Sequence, residues 1–185
     1  MTYNEYRALT DELMAEGKTT GPNQSTDLTH YTELNIQRMK RLDKTTVLLD
    51  EWNAIFDSIT EPLQWTVLAE AWCGDAAQIV PVMNKIVEAS NGKISMDILL
   101  RDENLELMDQ YLTNGSRGIP KLICYNANHD VLWNWGPRPK AVQDLMNELK
   151  ALGKPMDDIK TELHLWYTKD KTEQTQKELL AQFRA

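Results

Sequence analysis

From residue 64 the chain alternates short apolar runs with helical periodicity, and this alternation constrains its fold more than any other feature. Trp65 to Ala71 is a short, largely apolar run, the length of a strand. Residues 74 to 89 then place Ile79, Val82, Met83 and Ile86 on one helix face, Asn91-Gly92 turns the chain, and Ile94 to Leu100 reads as a second strand. Two strands joined by a helix make a parallel crossover unit. Asp102 is placed to cap a helix over residues 103 to 112. Pro120 to Tyr125 is a third strand, which Asn-Ala-Asn-His-Asp turns into a fourth, Val131 to Trp135. Pro137 and Pro139 introduce a helix whose buried stripe is Val142, Leu145, Met146 and Leu149.

Helices are predicted on both sides of this region. Residues 1–63 carry one around Tyr6, Leu9 and Leu13, a break at Gly21-Pro22-Asn23, and a second begun by Leu28, Tyr31 and Leu34 with Ser25 or Thr26 as cap. A third places Leu48, Trp52, Ile55 and Ile59 on one face and stops before Pro62. Residues 151–185 follow Gly153 and Pro155 with two more, one carrying Leu163, Trp166 and Tyr167, the other Leu179, Leu180 and Phe183, with Asp170 and Glu173 as a capping-box-like start. At 185 residues the chain can bury a full core without disulfide staples. The reading is a single compact domain with a central region at 64–150 and a helical extension on each side.

The net charge of −8 argues against nucleic acid or an anionic membrane as partner, since both need a clustered basic face. The one basic run, Arg38, Lys40, Arg41 and Lys44, alternates with Met39, Leu42 and Asp43 and reads as a solvated helix face. No leader or membrane-spanning stretch is evident, so a cytoplasmic location is expected, with Cys73 and Cys124 as free thiols. His30, His129 and His164 show no ligand spacing, and no metal site or cofactor is expected.

Cys73 sits where the first strand meets its helix. A thiol at a helix N-terminus meets unpaired backbone N–H groups and the positive end of the dipole, both of which favour thiolate. The competing reading is a small buried apolar residue, which is also how Cys124 reads. Asp75 favours the helix start but opposes a neighbouring thiolate, whereas Arg101 and Arg117 either lie near the thiol and lower its pKa or serve as surface cations. Trp133, Trp135, Trp166 and Tyr167 read as core or as the lining of a binding surface.

Trp72-Cys73-Gly74 at a helix start, Pro81 eight residues after the cysteine, and Arg117-Gly118-Ile119-Pro120 opening the third strand together resemble the thioredoxin family over residues 64 to 150. The added helices resemble a bacterial thioredoxin-like subfamily with Trp-Cys-Gly-Asp-Ala in place of the two-cysteine motif. The resemblance implies an α/β fold with a central four-stranded mixed sheet flanked by helices. It also implies a cis Ile119-Pro120 peptide standing against Cys73, with backbone beside Ile119 free to pair with an extended substrate. Two positions depart from the family pattern: Ala76 replaces the resolving cysteine, and Val67 replaces a buried acid.

The function these residues imply is exchange with protein or small-molecule disulfides at Cys73, completed by an external thiol because Ala76 cannot resolve the adduct. Trp72, Gly74, Asp75, Ala76, Ile119 and Pro120 would bind the substrate. The alternatives are a non-catalytic peptide- or protein-binding module and, through a sulfenic acid at Cys73, peroxide sensing. A homo-oligomer is compatible with the chain and not predicted by it.

Overall fold

In the computed structural model, which describes residues 1–184, the strand and helix alternation closes into a four-stranded mixed sheet. Its strands, β1 (Leu63–Ala69), β2 (Ile94–Leu100), β3 (Lys121–Tyr125) and β4 (Val131–Trp135), lie in the order β2-β1-β3-β4. β2 runs parallel to β1 and sets Ile98 beside Val67; β3 runs antiparallel to β1 and sets Leu122 on its other side; β4 pairs antiparallel with β3. Helix α4 (Gly74–Ala89) makes the crossover that the parallel pair requires. Trp65, Val67, Leu68 and Ala69 of β1 are all fully buried, because the sheet is covered on both faces, and this is why the strand reads as a continuous apolar run rather than an alternation.

Three helices precede the sheet, α1 (Tyr3–Ala15), α2 (Thr26–Thr45) and α3 (Glu51–Ser58). The short α5 (Leu105–Met108) lies before β3, and α6 (Lys140–Ala151), α7 (Met156–Asp170) and α8 (Glu173–Gln182) follow β4. Both extensions share the core of the central region: Tyr6, Met39 and Trp52 from one and Leu163, Tyr167 and Leu179 from the other pack into a single cluster with β1 and α4. They also meet each other. The buried Gln176 of α8 accepts from the Trp52 indole at 3.2 Å and the Leu49 amide at 2.9 Å, and donates to the Val47 carbonyl at 3.0 Å. These bonds satisfy polar groups that water cannot reach, so the two ends of the chain are fixed to one another.

Several local expectations are corrected. The helix expected over residues 103–112 is broken into a 3₁₀ turn at Arg101–Glu103, the single turn of α5 and a second 3₁₀ turn at Asp109–Tyr111. Asp102 does not cap it, because its amide donates to the Glu70 carboxylate at 2.8 Å and its own carboxylate pairs with Arg101. On α2 the buried face is Thr32, Asn35, Ile36, Met39 and Leu42, offset from the predicted Leu28, Tyr31 and Leu34; Leu34 is exposed. Asp170 accepts from the Gln174 amide, but Glu173 pairs with Lys177 along the surface instead of closing a capping box.

Candidate functional site

Cys73 occupies the turn between the carboxyl end of β1 and α4, in extended backbone, and its N–H donates to the Glu70 carbonyl at 3.0 Å. Facing it is the start of β3, where the Ile119–Pro120 peptide is cis, as is Gly136–Pro137 at the end of β4. The Cys73 Sγ donates to the Ile119 carbonyl at 3.3 Å. The acceptor expected to serve an extended substrate is therefore engaged by the thiol itself.

The helix start acts on Cys73 in the expected direction, since the amides of Asp75 and Ala76 bond to the sulphur and, with Arg138, favour the thiolate. Burial outweighs them. It pushes the thiol up to about 12, assisted by the negative charge of Asp75. The argument from the helix N-terminus assumes solvent at that end, and the burial of Cys73 acts against it.

Helix α7 reaches the start of α4 through two side chains, Tyr167 and His164, and Arg138, in the turn before α6, joins them there. Tyr167 Oη donates to Asp75 Oδ1 at 2.7 Å, and Arg138 holds the other Asp75 oxygen with Nη2 at 2.6 Å and Nε at 2.9 Å. This pair is largely buried, so each charge depends on the other for its solvation. His164 lies against Gly74 and pairs through Nδ1 with the Gln78 amide nitrogen at 3.3 Å. Its imidazole is pushed down to about 4, first by burial and then by Arg38 and Arg41, which keeps it neutral. A cavity of about 280 Å³ remains between α2, α4, α6 and α7, with Trp72, Cys73, Gly74 and Asp75 on one side and Arg38, His164 and Lys160 among the residues opposite.

The structure brings Trp72, Cys73, Gly74 and Asp75 to this cavity and places buried Ile119 and Pro120 behind the thiol, while Ala76 is buried in the first turn of α4. It does not bring Arg101 or Arg117 to the sulphur. Arg101 lies over the Trp72 ring, 5.1 Å from its centroid, and pairs with Asp102 at 2.7 Å; Arg117 pairs with Asp109 at 2.6 Å. The cation that serves the thiol is Arg138. Its one sign in the sequence is its place between two prolines after a strand. His164, Tyr167 and Arg38 carry no local sign, and the basic run on α2 is not wholly solvated, because Arg38 turns into the cavity and Arg41 reaches Gln78 at 3.3 Å. Cys124 is fully buried between Trp65 and Trp133 in the sheet, and both cysteines are free thiols. Trp135 and Tyr167 are core, and Trp133 and Trp166 pack partly buried against it.

A single cysteine at a helix start, set against a cis proline on a mixed sheet in the order β2-β1-β3-β4, is joined by a family match: the model described as thioredoxin covers residues 21–150. The chain belongs to the thioredoxin family. The match begins ahead of the central region and takes in α2 and α3, while α1, α7 and α8 fall outside it. A thioredoxin of Alicyclobacillus acidocaldarius is 30% identical over 109 residues, spanning 59% of this chain and 84% of that protein. Thioredoxin 1 of Nostoc sp. is 33% identical over 69 residues, which span 37% of this chain and only 62% of the relative. The crystal structure of a protein of unknown function from Pseudomonas aeruginosa superposes with a TM-score of 0.59 at 18% identity, covering 100% of this chain and 98% of that one. An HIV epitope-scaffold gives 0.60 at 16% identity over the same shares. These two likenesses show that the fold, with its terminal helices, is shared. Among the described residues no group of His, Cys, Asp and Glu is arranged to hold a metal ion, and no helix is long and apolar enough to cross a membrane.

Proposed function

We propose that this thioredoxin-family protein exchanges disulfides through the single thiol of Cys73. The Cys73 thiolate attacks one sulphur of a disulfide, forming a mixed disulfide while the original S–S bond breaks and the other half leaves as a thiolate. An external low-molecular-weight thiolate then attacks that mixed disulfide, restoring the Cys73 thiolate and leaving with the bound half as a new disulfide. Ala76 makes the second step external, because it stands one helical turn from Cys73 where a resolving sulphur would be needed. The observation that carries the reading is the position of Sγ: at the start of α4, bonded by two amides, 3.3 Å from the carbonyl before a cis proline, and on the wall of a cavity.

The thiol must ionise before it attacks, so exchange is expected to be slow at neutral pH and to accelerate as pH rises. That same burial favours a second reading, a binding module in which Cys73 is incidental. Intact-mass spectrometry after incubation with a small disulfide separates the two. An adduct that survives Cys124→Ser and disappears in Cys73→Ser supports exchange at Cys73. An adduct equally lost in both variants, or none on the native protein, overturns it in favour of a linked cysteine pair or the binding module, respectively.

A further inference from the structure

We infer that the cavity beside Cys73 is an anion-binding site whose ligand is a small disulfide bearing a carboxylate a few bonds from sulphur, the carboxylate being held by Arg38. The sulphur end of this inference rests on the exchange chemistry proposed above; the charged end does not.

Three cations line the cavity, Arg38, Arg138 and Lys160, against a single carboxylate, Asp75. Asp75 is fully used by Arg138 and Tyr167. Lys160 is held by the Tyr31 hydroxyl at 2.5 Å and by Asp157 at 3.2 Å. Arg38 alone of the three has no carboxylate partner among the described residues. Its Nη1 donates to Asn35 Oδ1 at 2.7 Å, and buried Asn35 donates in turn to the Ala71 carbonyl at 2.8 Å, two residues before Cys73. Asn35 thus fixes the guanidinium to the same turn that carries the thiol, while most of its five N–H donors stay unused.

A half-buried cation without a counter-charge is costly, and burial together with neighbouring Arg41 lowers the Arg38 pKa. The same charge reaches across the cavity to His164 and helps to keep that ring neutral. In a chain of net charge −8 this local excess of positive charge runs against the background. A carboxylate is the group that a guanidinium binds best, through two parallel hydrogen bonds. The volume, about 280 Å³, lies at the small end for ligand pockets and suits a short molecule, with the apolar walls of Leu28, Met146 and Ile159 against its methylene spacer.

Two disulfides of similar size and opposite charge test the site: dithiodipropionate and cystamine. The Cys73→Ser protein cannot exchange, so calorimetric titration of that variant reads binding alone. Dithiodipropionate is expected to bind roughly tenfold or more tightly than cystamine, the scale of one charge-assisted contact. Arg38→Gln on that background should remove the preference and Arg38→Lys should keep only the part that charge alone supplies, with circular dichroism showing each variant folded. Equal binding of the two probes, no binding of dithiodipropionate, or a preference untouched by Arg38→Gln overturns the anion site. With Cys73 intact, a faster adduct from dithiodipropionate supports both the site and the exchange. Selective binding by the Cys73→Ser protein with no adduct on the native one supports the anion site and overturns exchange.

Discussion

At Cys73 opposing influences meet on one sulphur atom, and their order decides its chemistry. Two backbone amides and Arg138 favour the thiolate, whereas burial and Asp75 oppose it and prevail. The cysteine was legible from its place between a strand and a helix, and the cis proline through the family resemblance that Arg117-Gly118-Ile119-Pro120 helps to carry. Their electrostatic partners were not, because Arg138, His164 and Tyr167 come from distant segments that only packing brings together. His164 offers a separate test at this scale. Its folded pKa, about 4, lies below the ordinary 6.5, so between these values the unfolded chain binds a proton that the folded protein refuses. Stability should therefore fall as pH drops from about 6.5 toward 4 and recover as it rises. Urea midpoints measured across that window should show a shallower decline in His164→Gln; identical slopes in the two proteins would show that the imidazole is not held neutral.

At the scale of elements, the site is a contact between the start of α4 and the side of α7. Gly74 permits it: a Cβ there would stand 2.8 Å from His164 Cε1, closer than packed atoms approach. Gly74→Ala is expected to cost roughly 1–3 kcal/mol through this overlap and to speed alkylation of Cys73 by wedging α7 away. In a His164→Ala background the same substitution should cost almost nothing, since the clash is gone and alanine favours the helix. A double-mutant cycle by chemical denaturation measures the difference, and additive costs would mean that the two residues do not meet. The sequence located α4, β2 and β4 to the residue, because turn residues mark their ends, Asn91-Gly92 between α4 and β2, and Asn126 to Asp130 and Gly136-Pro137 on either side of β4. It misplaced the segment after β2, where Asp102 and Asn104 bond to Glu70 and Leu100 in place of capping a helix. It also misjudged the inner face of α2, whose buried positions include Thr32 and Asn35, polar residues satisfied by hydrogen bonds rather than by an apolar stripe.

At the scale of the whole molecule, the helices outside the family match complete the site. Thioredoxin-family residues supply the strand, the turn, Cys73 and Pro120, while α7 supplies Tyr167, His164 and much of the cavity wall, and α8 ties that segment to α3. Hydrophobic patterning announced these helices but not where they dock, since an apolar stripe fits the sheet, the α4 start or a second chain equally well. The consequence is a thiol held protonated by its own protein. The measurement that bears on this most directly is the pH dependence of alkylation at Cys73 in the intact protein, followed by peptide mass spectrometry with fully buried Cys124 as internal reference. The expected result is slow modification near neutrality with a rate still climbing above pH 9.0, the ordinary thiol value, because burial holds Cys73 near 12. Rapid modification that reaches its plateau below pH 9.0 would contradict the account, for it would mean that burial does not govern the sulphur and the helix start does.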